Sequence, residues 1–280
     1  MARRDLKGLR LLVTGASQGI GRAIAVEAAK RGCRVLASAR SGDLLNELAG
    51  EVRAAGGTIE TITSDITKPA DRQAMVDAAN RHFGGLDVLV NNAGIGATGH
   101  FMDSEPQVLR DIFETNYFAV CELTRLFLPV LKQGTTPQIV NISSVVARRA
   151  YPARSLYSSS KFALAGWSEA IRAELAKDGI DVLVVNPGLT QTNFSKNMLE
   201  SKAKVSLDHK RGMTSEEVAV ATLDAMRKGK SEITLTLQGK LLVFVTRFFP
   251  WIFDIFAKKK VRKLFAEEIA ARKAATSRSG

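Results

Sequence analysis

Short apolar runs rich in β-branched residues alternate with longer amphipathic stretches along most of this 280-residue chain, and this alternation constrains the fold most. The strand-like runs are residues 9–13, 34–38, 58–63, 86–91, 138–142, 180–185 and 232–235. The helical stretches are residues 21–30, 44–55, 70–83, 107–132, 155–177 and 215–227. A strand–helix–strand series with right-handed crossovers predicts an α/β fold, in which a Rossmann-type, doubly wound parallel sheet of about seven strands carries helices on both faces.

No linker rich in Pro, Gly or Ser divides this series, so one α/β domain is predicted over residues 1–237 and a C-terminal apolar helical extension over 238–280. Residues 241–257 are almost wholly apolar and aromatic, but they fall short of the ~20 uninterrupted apolar residues of a spanning helix. Lys240, Arg247 and Asp254 are seven apart, which predicts that they share one helical face.

Three interpretations of residues 241–265 stay open. The segment packs against the core or a partner subunit, or its apolar side chains lie in a membrane interface while residues 258–263 meet anionic headgroups. The third interpretation is a membrane-spanning helix. The second predicts that deleting the residues after Gln238 abolishes binding to liposomes.

The net charge of +12 at pH 7 is concentrated near the C-terminus. Ten Lys/Arg and three Asp/Glu lie between Lys240 and Gly280, so this segment carries +7 of that charge. A local basic tail beside apolar sequence favours a membrane surface at least as well as a polyanion. Because no recognisable module interleaves aromatic and basic residues, we expect no nucleic-acid partner.

Cysteines and histidines are few. Cys33 and Cys121 form no disulfide framework and match no metal-site spacing, and His82, His100 and His209 are scattered. We therefore expect no metal site and a reducing, cytoplasmic compartment, with attachment to the cytoplasmic face of a membrane as the alternative. The N-terminal residues contain no apolar segment, so neither a signal peptide nor an N-terminal anchor is expected.

A glycine-rich turn joins the first predicted strand to the first helix. Its residues are Thr14, Gly15, Ala16, Ser17, Gln18, Gly19, Ile20 and Gly21. Glycines allow a tight turn and let backbone N–H groups approach a pyrophosphate that a side chain would hold away. The N-terminus of the next helix adds a partial positive charge. The turn therefore predicts a dinucleotide site, and the alternative is an ordinary strand–helix turn.

The second predicted strand runs into Ala39, Arg40 and Ser41, about twenty residues after the glycine turn. An acidic residue here would bond the ribose 2′-hydroxyl and repel a 2′-phosphate. Ala39 is neutral, and the Arg40 guanidinium suits a phosphate dianion. We therefore expect NADP(H) rather than NAD(H), the alternative being a solvated surface arginine.

Tyr157 and Lys161 lie four residues apart in a predicted helix, so both point to one face. Reducing a carbonyl requires a proton at the oxygen, and a free phenol with a pKa near 10 is a poor partner at neutral pH. A neighbouring ammonium stabilises the phenolate and moves its pKa toward working pH. The pair therefore predicts a proton donor or acceptor, although Tyr-x-x-x-Lys also occurs by accident on surface helices.

Together these motifs resemble the single-domain branch of the short-chain dehydrogenase/reductase family. The resemblance rests on Gly-x-x-x-Gly-x-Gly ending at Gly21, on Asn-Asn-Ala-Gly ending at Gly94 and on Tyr157-x-x-x-Lys161, and it extends over about residues 9–192. Ala39-Arg40-Ser41 and the apolar C-terminal segment are similar to the group of 11β-hydroxysteroid dehydrogenase type 1.

The resemblance implies roles at the ends of further strands. Asp65 would accept a hydrogen bond from the adenine amino group, the alternative being a helix N-cap. Lys161 would also hold the nicotinamide ribose, and Thr192 with the Leu189 backbone would hold the carboxamide. The remaining cofactor-binding residues implied are Ser41, Ile66, Asn92, Ala93, Gly94, Tyr157, Pro187, Gly188 and Thr190.

A catalytic tetrad of Asn116, Ser144, Tyr157 and Lys161 is also implied. Ser144 rather than Ser143 is assigned to polarise the substrate oxygen, because it lies thirteen residues before Tyr157, as in the family. Asn116 is assigned a water-mediated link to Lys161 as a proton relay. Its alternative is a polar residue that faces solvent in mid-helix.

The predicted function is an NADP(H)-dependent oxidoreductase acting on a carbonyl or secondary alcohol, and the alternative is a catalytically silent dinucleotide-binding scaffold or sensor. Residues 194–213 correspond to the substrate lid of the family. The predicted pocket walls, mainly apolar, are Ile95, Val145, Val146, Tyr151, Pro187, Phe194, Met198 and Leu199. They favour a hydrophobic small molecule such as a steroid, retinoid or fatty-acyl carbonyl. The family resemblance implies a homodimer or homotetramer formed through helices 107–132 and 155–177.

Overall fold

A parallel sheet of seven strands confirms the predicted doubly wound α/β fold. The computed structural model describes residues 3–201, 212–266 and 270. The strands are β1 (Arg10–Thr14), β2 (Arg34–Ala39), β3 (Thr58–Thr63), β4 (Val88–Asn91), β5 (Gln138–Ile142), β6 (Asp181–Asn186) and β7 (Glu232–Thr234). They lie in the order β7-β6-β5-β4-β1-β2-β3, with every neighbouring pair parallel. The order reverses between β1 and β4, where such sheets open a crevice for ligands.

Helices cover both faces of this sheet. In the described part of the chain they are α1 (Gly19–Lys30), α2 (Gly42–Ala54), α3 (Pro69–Phe83), α4 (Pro106–Phe113), α5 (Ala119–Leu131), α6 (Ser155–Glu174), α7 (Ser215–Arg227), α8 (Leu237–Phe248) and α9 (Pro250–Leu264). Helix α3 begins with a proline and ends before Gly84, which has a φ of 71°. Helix α7 begins with a capping box between Thr214 and Glu217. These boundaries follow from local sequence.

The core lies on both sides of the sheet because successive side chains of a strand point to opposite faces. Leu11 and Val13 of β1 pack with α1, α2 and α7, whereas Leu12 packs with α3, α5 and α6. All five residues of β5 are buried. This double coverage explains why the parallel strands are continuous apolar runs rather than alternating ones.

The single helix predicted over residues 107–132 is divided in the structure. One π-helical turn, Glu114–Phe118, separates α4 from α5. This turn contains Asn116, which is fully buried. The wider turn coincides with a buried polar side chain that bonds to a neighbouring loop, and π-helical turns of this kind often occur at functional sites.

The C-terminal extension is also broken, between α8 and α9. Phe249 ends α8, and Pro250 starts α9, since proline cannot continue a helix from the preceding turn. The predicted common face of Lys240, Arg247 and Asp254 is therefore wrong: Asp254 lies on α9 and pairs with Arg149 of the core domain. Within the described residues, none of the helices combines the length and the hydropathy needed to cross a bilayer.

Candidate active site

A cavity of about 630 Å³ lies at the carboxyl ends of β1 to β6. Its size is typical of sites for small molecules and cofactors. The predicted site residues that line it are Gly15, Ser17, Gln18, Gly19, Ile20, Arg40, Ser41, Asp65, Ile66, Asn92, Ala93, Gly94, Ser144, Tyr157, Lys161, Pro187, Gly188, Leu189, Thr190 and Thr192. The two remaining predicted residues, Gly21 and Asn116, are not among the residues that line the cavity. The fold thus brings residues from six strand ends to one place.

The glycine turn packs closely against the end of β4. Gly15 has a φ of +65°, and a β-carbon there would lie 2.8 Å from the Ala93 Cα atom. A β-carbon at Gly21 would lie 2.3 Å from Asn92 Nδ2, which donates a hydrogen bond to the Thr14 carbonyl at 2.8 Å. Gly21 therefore permits close packing of the turn rather than direct contact with a ligand.

The turn leaves the N-terminus of α1 open toward the cavity. Gln18 is the N-cap residue and makes no hydrogen bond from its side chain to the helix. The Thr192 methyl group lies 3.3 Å from the position a β-carbon would take at Gly19, so the end of β6 meets the turn here. Free N–H groups and a helix dipole suit an anion. The cradle therefore fits the pyrophosphate of a dinucleotide.

Arg40 and Asp65 lie together at the opposite end of the cavity. Arg40 is exposed after β2. Asp65 Oδ1 accepts hydrogen bonds from Thr67 N and Thr67 Oγ1, at 3.0 and 2.8 Å. Burial pushes the pKa of Asp65 upward, but these bonds and the charges of Arg40 and Lys68 bring it below its ordinary value. The N-cap alternative for Asp65 is wrong, because Lys68 precedes α3 and the Asp65 carboxylate instead stabilises the turn.

Tyr157 and Lys161 both point into the cavity from α6. Their side chains are nearly inaccessible, with 8% and 4% of the residue surface exposed. Lys161 Nζ donates to the Ile142 carbonyl at 3.0 Å and lies 5.8 Å from the centre of the Tyr157 ring. Burial lowers the pKa of the Lys161 ammonium to about 8. The amine is thus still mostly protonated at neutral pH.

Two groups act directly on the Tyr157 hydroxyl. Burial raises the pKa of this phenol, while the charge of Arg154 and a hydrogen bond with Ser144 lower it. Ser144 Oγ also accepts a hydrogen bond from Val146 N at 3.3 Å. The sequence analysis assigned the acidifying charge to Lys161 alone and overlooked Arg154. The available signal was its position: Arg154 lies three residues before Tyr157, as the N-cap residue of α6 about one turn from the phenol.

Asn116 is fully buried rather than facing solvent, so the alternative proposed from sequence is wrong. Its Nδ2 donates to the Ile95 carbonyl at 2.9 Å and to Ser160 Oγ at 3.0 Å, and its Oδ1 accepts from Ile95 N at 2.9 Å. A β-carbon at Gly94 would lie 3.1 Å from Asn116 Oδ1 and 3.6 Å from Lys161 Nζ. The glycine therefore keeps open the space that both groups face.

The substrate end of the cavity differs in part from the predicted walls. Of the predicted wall residues, those that line the cavity are Ile95, Pro187, Phe194 and Leu199. Val145, Val146, Tyr151 and Met198 do not line it, and Val145 Cγ1 instead lies 2.9 Å from the position that a β-carbon at Gly239 of α8 would take. The Phe194 ring lies 5.5 Å from the Tyr157 ring, centre to centre. Residues 202–211 of the predicted lid lie outside the described residues.

Comparison with known families agrees with this geometry. Residues 10–203 match the short chain dehydrogenase family. The chain is 36% identical over 230 residues to the ketoacyl reductase HetN of Nostoc sp., covering 81% of this chain and 78% of that protein. It is 31% identical over 264 residues to dehydrogenase/reductase SDR family member 7B of Bos taurus, covering 90% and 81% of the two chains.

Solved structures share the architecture. A short chain dehydrogenase/reductase from Burkholderia phymatum in complex with NAD superposes with a TM-score of 0.82 at 24% identity, covering 89% of this chain and 96% of that one. An alcohol dehydrogenase from Thermococcus sibiricus complexed with 5-hydroxy-NADP has a TM-score of 0.73 at 26% identity, with coverage of 82% and 96%.

Proposed function

The chain belongs to the short-chain dehydrogenase/reductase family, and on this premise we propose that it is an NADP(H)-dependent oxidoreductase acting on a carbonyl or secondary alcohol. The observation that carries the proposal is the buried Tyr157 phenol, which shares one cavity with the Ser144 hydroxyl and the Lys161 amine. The bound nicotinamide would supply or accept the hydride, which is chemistry that belongs to the cofactor. The chain itself has to bind, orient and exchange a proton.

Each of the four polar residues has a distinct task in this proposal. Tyr157 gives its hydroxyl proton to the substrate oxygen in reduction and takes it back in oxidation. Ser144 hydrogen-bonds the same oxygen and fixes its position. Lys161 holds the nicotinamide ribose and supplies positive charge near the phenol. Asn116 fixes the loop at Ile95 and, through the space beside Gly94, links Lys161 to water.

NADP(H) is the proposed cofactor because the residue directly after β2 carries a guanidinium rather than a carboxylate. Arg40 lines the cavity and is exposed, so its guanidinium can contact a 2′-phosphate while it remains partly hydrated. Asp65 is ionised nearby and is proposed to accept from the adenine amino group, with Ile66 against the ring. The carboxamide is assigned to Thr192 and the Leu189 backbone.

The proposed substrate is a hydrophobic small molecule, because Ile95, Pro187, Phe194 and Leu199 supply apolar walls beside Tyr157. We also propose that residues 194–213 form its lid. The described part of that segment already contacts the core domain, since Glu200–Ser201 pairs with Ala97–Thr98.

A hydride-transfer screen tests the proposal. Ketones of steroid, retinoid and acyl type are offered with NADPH and with NADH, and oxidation of the cofactor is followed by its absorbance. We expect turnover with NADPH that disappears in Tyr157→Phe. Cofactor binding without any turnover that depends on Tyr157 would favour the silent scaffold instead.

We further propose that α8 and α9 contact a membrane surface at its cytoplasmic face. Their exposed apolar side chains are Leu237, Leu241, Phe244, Phe248, Phe249, Trp251, Ile255 and Phe256. Lys258, Lys259 and Arg262 are exposed beside them, as expected for an interfacial helix that meets anionic headgroups. Helix α9 is tied to the core domain by Asp254, so the apolar side chains are held in place.

Liposome flotation separates this interpretation from packing against a partner subunit. The full chain should float with vesicles that contain anionic lipid, and a chain ending at Gln238 should not. If the full chain stays at the bottom of the gradient, the membrane interpretation is wrong.

A homodimer or homotetramer through α5 and α6 is proposed as well. Phe118, Leu126 and Phe162 are exposed large apolar side chains on or next to these two helices. Burying them in a helix–helix contact removes apolar surface from water. Phe162→Glu should lower the mass measured by sedimentation equilibrium, and an unchanged mass would contradict this interface.

A further inference from the structure

Arg154 lies in the wall of the active-site cavity and has no charged partner among the residues that the structure describes. Its Nε and Nη2 atoms are buried and have no hydrogen-bond partner among the residues that the structure describes. The charged or titratable groups that act on it there are the phenols of Tyr157 and Tyr151, and burial lowers the pKa of its guanidinium. The side chain is half-buried, and partial desolvation of a guanidinium without a counter-ion is unfavourable.

The backbone around Arg154 is held in an unusual conformation. The preceding residue, Ala153, has a φ of 63°, which a residue with a β-carbon rarely adopts. The Ala153 carbonyl accepts a hydrogen bond from Gly99 N at 3.0 Å, and Ser158 N donates to the Arg154 carbonyl at 2.8 Å. The guanidinium lies over the Tyr157 ring, with its carbon atom 5.8 Å from the ring centre. Strain of this kind is concentrated at functional sites.

We infer that Arg154 binds an anionic group of the substrate, a carboxylate or a phosphate monoester near the reacting carbonyl. The inference rests on the proposed function and narrows its substrate to an amphiphilic acid. A guanidinium offers two parallel donors that match both anions, and its partial desolvation strengthens such a bond. The apolar walls at Ile95, Phe194 and Leu199 leave room for a hydrocarbon part beside the acid.

Binding of non-reacting ligands tests the inference without turnover. Octanoate, octyl phosphate and octanol are titrated calorimetrically into the protein loaded with NADPH. One of the two anions should bind at least about tenfold more tightly than octanol, and the stronger of the two identifies the acid. Arg154→Met should abolish the difference and Arg154→Lys should reduce it, since lysine keeps the charge but not the fork. Arg110→Met, an exposed arginine of α4 outside the cavity, is the matched control and should retain it.

Equal binding of all three ligands by the unmutated protein would overturn the inference, as would a preference for the anion that survives in Arg154→Met. An anion preference that depends on Arg154, in a protein that reduces no ketone, would support the inference and contradict the proposed enzyme. The two proposals therefore fail separately.

Turnover distinguishes substrate binding from an effect on the phenol. A γ-keto acid and its methyl ester are compared, and the ratio of their kcat/KM values should fall at least about tenfold in Arg154→Met. If Arg154 acted only through Tyr157, both substrates would lose activity equally, the ratio would stay the same and the basic limb of the pH profile would move. That result overturns the inference.

Thermal unfolding checks that the variant folds. Removing an unpaired buried charge should leave the midpoint of Arg154→Met equal to that of the unmutated protein or higher. A midpoint lowered by more than about 5 °C would identify the guanidinium as a structural group and would overturn the inference.

Discussion

The two ends of the cavity bind by different means. At the nucleotide end, Gly15 and Gly21 bring backbone close to the site, Asp65 is satisfied by Thr67, and Arg40 remains in water. At the catalytic end, Tyr157 and Lys161 are buried, and burial shifts the pKa of each away from its ordinary value. In the proposed function, the first end would select the cofactor by shape and solvated charge, whereas the second would obtain reactivity by withholding water from ionisable groups.

Removing the Tyr157 hydroxyl is expected to have the largest effect. Tyr157→Phe keeps the ring against Phe194 but removes the atom that exchanges a proton, so kcat should fall about 10²–10⁴-fold. Steady-state rates with a ketone and NADPH measure it. Tyr151→Phe, whose ring does not line the cavity, serves as the control and should keep the rate within about twofold of the unmutated enzyme. A comparable loss of kcat in both variants would contradict the assignment of proton exchange to Tyr157.

The buried ammonium of Lys161, at the catalytic end, can be tested through the pH dependence of protein stability. The Lys161 pKa is about 8 in the folded protein and about 10.4 in an unfolded chain. Between these pH values this side chain binds more protons in the unfolded chain, so its contribution to the free energy of unfolding should rise with pH, by up to about 3 kcal/mol. Urea unfolding of the protein without added cofactor, from pH 8 to 10, measures the rise.

Lys161→Met should remove this rise, whereas Lys177→Met, at an exposed position, should keep it. Burial raises the pKa values of the Cys33 and Cys121 thiols to about 12 and about 11, and these thiols lower the free energy of unfolding over the same pH range in every variant. A profile with the same slope in the unmutated protein and in Lys161→Met would therefore show that the amine is not desolvated. Measurements stop at pH 10 because the raised pKa of Tyr157 acts in the opposite direction above it.

Close packing at the nucleotide end is tested by adding one methyl group at Gly21. In Gly21→Ala the new β-carbon meets Asn92 Nδ2 at 2.3 Å and the Gly15 carbonyl oxygen at 2.4 Å. The free energy of unfolding should fall by about 1–3 kcal/mol, and NADPH should bind more weakly. Gly50→Ala, in α2 with open space around it, is the matched control and should stabilise by about 0.5–1 kcal/mol. Equal effects of both substitutions would contradict the packing argument.

The exposed guanidinium gives the smallest expected effect. Arg40→Asp should lower the ratio of kcat/KM for NADPH over NADH by about 10–100-fold, because a carboxylate repels the 2′-phosphate and can bond the 2′-hydroxyl instead. Initial rates with both cofactors measure this ratio. Selectivity that does not change would refute the assignment of Arg40 to the phosphate.

Periodicity predicted the seven strands because each is a short run flanked by turn residues, and all but the partly exposed β3 and β7 are almost wholly buried. The same reasoning failed at Glu114–Phe118, since a π-helical turn around Asn116 follows from a hydrogen bond to Ile95, twenty-one residues earlier. It failed again at Asp254, because the break before α9 puts this residue beside Arg149.

The sequence by itself determined the positions of the strands and helices, the glycine turn and the residue types available for a proton exchange. These features depend on local conformation and on short spacings. Only the tertiary structure decided which charged groups are removed from water. The desolvation of Lys161, the lack of a counter-ion for Arg154 among the described residues and the burial of Asn116 depend on segments that are distant in the chain. The free energy of a charge is set by everything within a few ångströms of it, and no local pattern of residues specifies that surrounding.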